Sequence, residues 1–316
     1  MEVVMTYPYD AELAPWVPML PILDLRDPAA AREVGRAIAA QLPQPDLTGL
    51  TVLDRTVPGP AGAPAVPVRI YTPQPASAPA PAVLHLHGGG FVLGDLALEH
   101  ADAAAFATGI GAVVVAVDYR LAPEEPFPAA LEDCYAVLCW LAGNTDELGV
   151  DPTRLGLYGR SAGGGIAAGL TLLTRDRGGP RLAMQYLDVP VLDDQLDSVS
   201  MRAYVDTPIW NRPSAEMGWA YYLGDDVKPG DPSVSAYAAP ARAEDLAGLP
   251  PAFISSCQFD PVRDEGMHYA QRLAQAGVPT EAHLYPATFH GSALVTDAAV
   301  SRRMRQDAVA AFRRML

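Results

Sequence analysis

Basic charge is scarce in this sequence. Lysine and arginine total 22 against 37 aspartates and glutamates, for a formal net charge of −15. Nucleic-acid and anionic-membrane surfaces need clustered cations, so neither partner fits this chain. Cysteine is scarce too: Cys134, Cys139 and Cys257 are the three, and no Cys-x-x-Cys pair occurs. That excludes a disulfide framework and predicts reduced thiols buried as small hydrophobes. No apolar run approaches bilayer-spanning length. Met1 to Trp16 lacks a basic region followed by an apolar one, so the reading is a cytoplasmic protein without a secretory signal.

What the sequence does have is apolar bulk. Half of its 316 residues are hydrophobic, enough for a large core in one α/β domain or two smaller ones. Pro28 to Leu42 has the spacing of an amphipathic helix with Val34, Ile38 and Leu42 on one face. Leu50 to Val57 and Ala65 to Tyr71 alternate as strands, and Pro73 to Pro81 reads as a Pro/Ala loop. Then strands and helices alternate. Ala82 to His87, Ala112 to Val117 and Arg154 to Tyr158 are strands, and Leu98 to Thr108, Ala129 to Ala142 and Ile166 to Thr174 are helices. The apolar run Leu182 to Val191 follows, then Ala252 to Cys257, Val262 to Gln275, Glu281 to Tyr285 and a helix around Arg302 to Met315. Apolar strands alternating with helices predict a mostly parallel sheet covered on both faces. The segment from about 193 to 232 breaks the rhythm. It carries Trp210, Met217, Trp219, Tyr221 and Tyr222, which either wall a pocket or pack the insertion onto the body.

Gly159-Arg160-Ser161-Ala162-Gly163 lies between a predicted strand and a predicted helix. Gly-x-Ser-x-Gly in that setting is the signature of a sharp turn that lifts a serine hydroxyl out of a sheet. A serine needs a base, a group to orient the base, and donors for an oxyanion. Three stretches offer these. His87-Gly88-Gly89-Gly90 follows a strand and leaves backbone N–H groups unshielded. It is not a phosphate loop, because no Gly-Lys-Ser/Thr and no spaced Gly-x-Gly-x-x-Gly accompanies it. Asp260 stands just past the strand Ala252 to Cys257, and His290 follows the last strand.

On these residues the chain resembles the hormone-sensitive-lipase-like carboxylesterases (bacterial family IV) of the α/β-hydrolase fold. The resemblance rests on His87-Gly88-Gly89-Gly90, on Asp118-Tyr119-Arg120-Leu121-Ala122-Pro123-Glu124 with Phe127-Pro128-Ala129-Ala130, on Gly159-x-Ser161-Ala162-Gly163-Gly164, and on Asp260-Pro261-x-Arg263-Asp264-Glu265-Gly266 with His290-Gly291. It implies one α/β-hydrolase domain over residues 1–316, with a mostly parallel central sheet, flanking helices and a helical cap formed by about 1–45 and about 193–232. It also implies Ser161 as nucleophile, His290 as general base and Asp260 as its orienting residue. The N–H groups of Gly89, Gly90 and Ala162 become the oxyanion donors. The substrate expectation is a small-molecule ester with a short-to-medium acyl chain, with no cofactor and no metal. A homodimer is left open.

Two readings compete with ester hydrolysis. One is a non-catalytic small-molecule binding protein of the same fold, the other an amidase or peptidase. In such binders a catalytic residue is replaced, and here Ser161, Asp260 and His290 all stand; a peptidase would bring a large gating domain that this length does not accommodate. Two positions depart from the family. Arg160 stands where relatives commonly have Asp or Thr, and its planar fork of donors suits pinning a nearby carboxylate or backbone carbonyls. Ser292 stands where many relatives have Phe, which predicts more room beside the base.

Overall fold

Val113–Val117 is five apolar residues in a row, all of them buried. A strand that is apolar on both sides needs cover on both, and this one lies deep in an eight-stranded sheet. The computed structural model describes residues 7–20, 24–42, 44–74 and 79–316. Residues 1–6, 21–23, 43 and 75–78 lie outside the described residues, and with them the start of the N-terminal segment and the middle of the Pro/Ala loop. In chain order the strands are β1 Leu50–Val57, β2 Val66–Pro73, β3 Ala80–Leu86, β4 Val113–Val117, β5 Val150–Arg160, β6 Met184–Asp188, β7 Ala252–Phe259 and β8 Thr280–Phe289. Their spatial order is β1-β2-β4-β3-β5-β6-β7-β8. The pairs β1–β2 and β2–β4 are antiparallel, and every pair from β4 to β8 is parallel.

The helices are α1 Pro28–Gln41, α2 His100–Ile110, α3 Ala129–Gly143, α4 Thr145–Leu148, α5 Ala162–Asp176, α6 Val199–Ala203, α7 Arg212–Leu223, α8 Arg263–Gln275 and α9 Ala299–Met315. On one face of the sheet, α2 and α9 close over Phe106, Tyr158, Tyr186, Phe253 and Phe312. On the other, α3, α5 and α8 pack with the insertion through residues such as Leu138, Ile166, Leu273 and Trp219. The two-residue period of a strand sorts β5: Tyr158 and Arg160 point to the α2 side and Leu157 to the α5 side.

Three sequence-based expectations change. The helix at α1 is present, but Val34 and Leu42 on its apolar face are exposed. Its buried residues are Ala31 and Gly35, because a small-residue face lets the helix approach the body closely; Leu98 lies against Gly35. Cys134 and Cys257 are buried, whereas Cys139 is exposed, since it sits on the solvent side of α3. β8 runs on through Pro286 to Phe289. It is an edge strand, where a missing N–H costs no ladder bond.

Candidate active site

Ser161 is the residue between β5 and α5. Its backbone has φ 55° and ψ −119°, a strained conformation for a residue with a side chain. The turn is held from both ends. The Ser161 N–H donates to the Asp188 carbonyl at 2.8 Å, and the Ser161 carbonyl accepts from Gly165 and Val191, each at 3.1 Å. Gly163 permits the close approach: a Cβ there would overlap the carbonyl oxygens of Leu86 and His87 at the end of β3.

β7 and β8 deliver the other two residues. Asp260 directly follows β7, and His290 directly follows β8. His290 Nε2 lies 2.8 Å from Ser161 Oγ, and His290 Nδ1 lies 2.8 Å from Asp260 Oδ2. A carboxylate can only accept, so the proton between Asp260 and His290 sits on Nδ1 and leaves Nε2 as an acceptor for the serine hydroxyl. The second Asp260 oxygen accepts the Val262 N–H at 3.0 Å. Asp260 is fully buried; Ser161 and His290 are each 5 % exposed. Three residues far apart in sequence thus meet at the carboxyl ends of three parallel strands.

Beside them runs the glycine loop. Tyr119 stacks on His87 with ring centroids 4.1 Å apart, and its hydroxyl donates to the His87 carbonyl at 2.6 Å. Burial pulls the His87 imidazole below its ordinary pKa and keeps it neutral. The Gly89 carbonyl accepts from Val92 and Leu93, which folds the loop into a tight turn. Among the described residues, the N–H groups of Gly89, Gly90 and Ala162 donate to no backbone or side-chain acceptor. Ala162 is the first residue of α5, where an N–H has no intrahelical partner and the helix dipole favours negative charge.

The neighbouring carboxylates have other work. Asp264 accepts the Ser200 N–H at 2.7 Å and so caps α6. Glu265 is buried and accepts the Leu192 N–H at 2.7 Å; burial raises its carboxyl well above the ordinary range, and that bond only partly offsets the rise. Arg120 makes a two-pronged bond to buried Asp133, and Arg32 of α1 pairs with Glu124. Ser292, near His290 in the same loop, is itself fully buried. Its hydroxyl is buried and exchanges hydrogen bonds with the Phe289 backbone, tying the histidine loop together.

Arg160 points to the α2 side of the sheet, with Tyr158. Its Nη2 lies 2.5 Å from Asp102, its Nε 3.1 Å from Asp188 and its Nη1 3.7 Å from Glu99. Burial alone would raise Asp102, but Arg160 and His85 hold it below the usual carboxylate range; burial keeps Glu99 raised. His85, Glu99 and Asp102 come within 4.8 Å of one another, a spacing a metal ion can use. The Arg160 guanidinium already supplies the cation there. A pinning role for Arg160 was legible from its donor geometry, but whether it pins carboxylates or backbone carbonyls was not, nor the identity of Asp102, Glu99 and Asp188, because no motif marks them. Of the insertion's aromatics, Trp219 and Tyr222 pack on Phe91 in the core, whereas Trp210 lies 6.0 Å from His290.

Residues 83–294 match the family model described as the alpha/beta hydrolase fold. The chain is 42% identical over 290 residues to the carboxylesterase NlhH of Mycobacterium tuberculosis, covering 90% of this chain and 89% of the relative. It is 43% identical over 252 residues to esterase LipI of the same organism, covering 78% and 77%. Among solved structures, a bacterial heroin esterase superposes with a TM-score of 0.94 at 46% identity, covering 98% of each chain. No helix among the described residues is long and apolar enough to cross a membrane.

Proposed function

The chain belongs to the hormone-sensitive-lipase-like carboxylesterases of the α/β-hydrolase fold, and for this serine carboxylesterase we propose that Ser161, His290 and Asp260 divide the chemistry as nucleophile, base and orienting residue. The observation that carries this is the imidazole of His290, hydrogen-bonded at 2.8 Å to Ser161 on one side and to Asp260 on the other. Ser161 Oγ attacks the ester carbonyl while Nε2 takes its proton. The tetrahedral oxyanion is held by the N–H groups of Gly89, Gly90 and Ala162. The protonated imidazole, steadied by Asp260, returns the proton to the leaving alcohol, and an acyl-enzyme remains. Water, deprotonated by Nε2, then attacks the acyl carbon; the bond to Ser161 Oγ breaks, the imidazole returns its proton to that oxygen, and the acid leaves. The free N–H groups of the glycine loop and the dipole of α5 support this division, since they concentrate positive potential where the negative oxygen forms.

The same reading assigns a cap. Leu13 packs against Phe289 and Val295, α1 is anchored through Arg32 to the Val92 and Ala122 carbonyls, and the insertion brings Trp210 to the site. A covered site with nearly buried reactive groups favours small esters of short-to-medium acyl chains. Ser161→Ala tests the assignment: the folded variant loses hydrolysis of p-nitrophenyl butyrate, and a fluorophosphonate labels the unmodified chain at Ser161. Labelling at another serine, or an active alanine variant, overturns it.

A further inference from the structure

Trp210 is held by a turn that strains its neighbour. Ile209 has φ 65°, and the Trp210 N–H donates back to the Pro208 carbonyl at 2.7 Å. A γ-turn with its centre at positive φ is rare and strained, more so for a β-branched residue. Strain of this kind persists only where the surroundings fix it, and it concentrates at functional sites. The surroundings do fix it. The buried Thr207 hydroxyl donates to the Trp210 carbonyl at 2.7 Å, and the Asn211 amide donates to the Thr207 carbonyl at 3.3 Å.

The indole that results is received by two glycines. A Cβ on Gly90 would stand 2.6 Å from the ring edge, and one on Gly218 would stand 3.1 Å from it. The ring centroid is 6.0 Å from the His290 imidazole, with the planes inclined by 34°. Trp210 itself is 5 % exposed. One flat side chain therefore spans from the glycine loop to the base.

Acyl transfer gives that position a meaning. The carbonyl oxygen is drawn to the glycine-loop N–H groups, and the leaving oxygen must face His290 Nε2 to recover a proton. A wall bordering both runs alongside the leaving group, while the acyl chain departs from the carbonyl carbon in another direction. The geometry points to Trp210 as the residue that limits the alcohol half of the ester, an inference that rests on the roles assigned above to Ser161, His290 and the glycine loop. The wall crowds branching next to the ester oxygen, so unbranched or planar alcohol groups such as ethoxy and phenoxy are preferred over tertiary ones.

Two substrate series separate the alcohol half from the acyl half. One is ethyl, isopropyl and tert-butyl acetate; the other is p-nitrophenyl acetate, butyrate and octanoate. In Trp210→Ala and Trp210→Leu, kcat/KM for tert-butyl acetate relative to ethyl acetate rises at least about tenfold, the scale of a few methyl groups in an apolar pocket. The acetate-to-octanoate ratio of the second series moves by less than about threefold, below the effect of one misfitted methylene. Ile209→Gly keeps the indole but releases the strained turn, and it moves the alcohol series in the same direction by less. The leucine variant and the glycine variant keep the test in force where the alanine variant does not fold. An alcohol series unchanged in variants that still label at Ser161, or an acyl series that shifts as much, overturns the wall. A wild-type chain that does not label at Ser161 instead overturns the underlying assignment.

Discussion

Arg160 Nε lies 3.1 Å from the carboxylate of Asp188, and the carbonyl of that same Asp188 accepts the N–H of Ser161. The residue before the serine therefore holds the end of β6 by its side chain, and the serine holds it by its backbone. Arg160 also reaches Asp102 on α2, so the turn is bound both to β6 and to a helix that covers the sheet. Removing the guanidinium leaves three carboxylates facing one another in a poorly solvated place. Arg160→Met costs about 3 kcal/mol, the scale for breaking a buried ion pair. Arg160→Lys keeps the charge but loses the fork, and it lowers Tm by less. KM for neutral esters changes little in the lysine variant. A large rise in KM confined to negatively charged esters, with Tm intact, would show that the charge meets substrate instead.

Asp260 and Asp264 are four residues apart and do different things. Asp260→Asn disturbs the tautomer of His290 and lowers kcat by roughly 10⁴-fold, the scale for this substitution in a serine triad. Asp264→Asn keeps an oxygen for the Ser200 N–H and loses the ion pair with Arg263. It costs about 0.5 kcal/mol of stability, the scale of a part-exposed ion pair, and leaves kcat within about tenfold, since no triad geometry depends on it. Steady-state kinetics beside thermal melts distinguish the two, and the reverse ranking counts against the assignment.

Glycine has opposite value at two positions. Gly163→Ala drives a methyl group into the Leu86 and His87 carbonyls, under the glycine loop. It destabilises by 1–3 kcal/mol or more, roughly the range for overpacking, and lowers activity with it. Gly143, the last residue of α3, has nothing within 4 Å of an added Cβ. Gly143→Ala stabilises by about 0.4–1 kcal/mol through the unfolded chain. Chemical denaturation of both variants gives the comparison, and equal effects would remove the argument from close approach.

Glu265 gives a pH dependence with a defined sign. Its folded carboxyl titrates well above the ordinary value of 4.5 because it is buried. Between those values the folded chain keeps a proton that the unfolded chain has released, so stability falls as pH rises, by about 1.4 kcal/mol per unit for this group. Below pH 4.5 both states are protonated and the penalty vanishes. Glu265→Gln keeps an oxygen for the Leu192 N–H but cannot ionise. Its Tm therefore exceeds that of the parent by a margin that grows from pH 5 to pH 7. Parallel Tm profiles for the two proteins would exclude the buried carboxyl as their cause.

The sequence by itself determined the parts whose chemistry is local. Strand and helix periods placed β1 at its observed residues and most other elements within a few. Gly-x-Ser-x-Gly marked the turn because a tight strand-to-helix corner tolerates no other residue at Gly163. Asp260 and His290 were legible as residues just past apolar strands. Tertiary structure alone decided what depends on distance through space. The face that α1 buries follows from how close the body lets it come, so Ala31 and Gly35 prevail over Val34 and Leu42. The partners of Arg160 come from α2 and β6, elements that share no motif with the serine turn. Trp210 and Trp219 are the same residue type nine positions apart on one insertion. Only the packing puts one beside His290 and the other into the core against Phe91, because the side a ring faces is set by what its segment docks against.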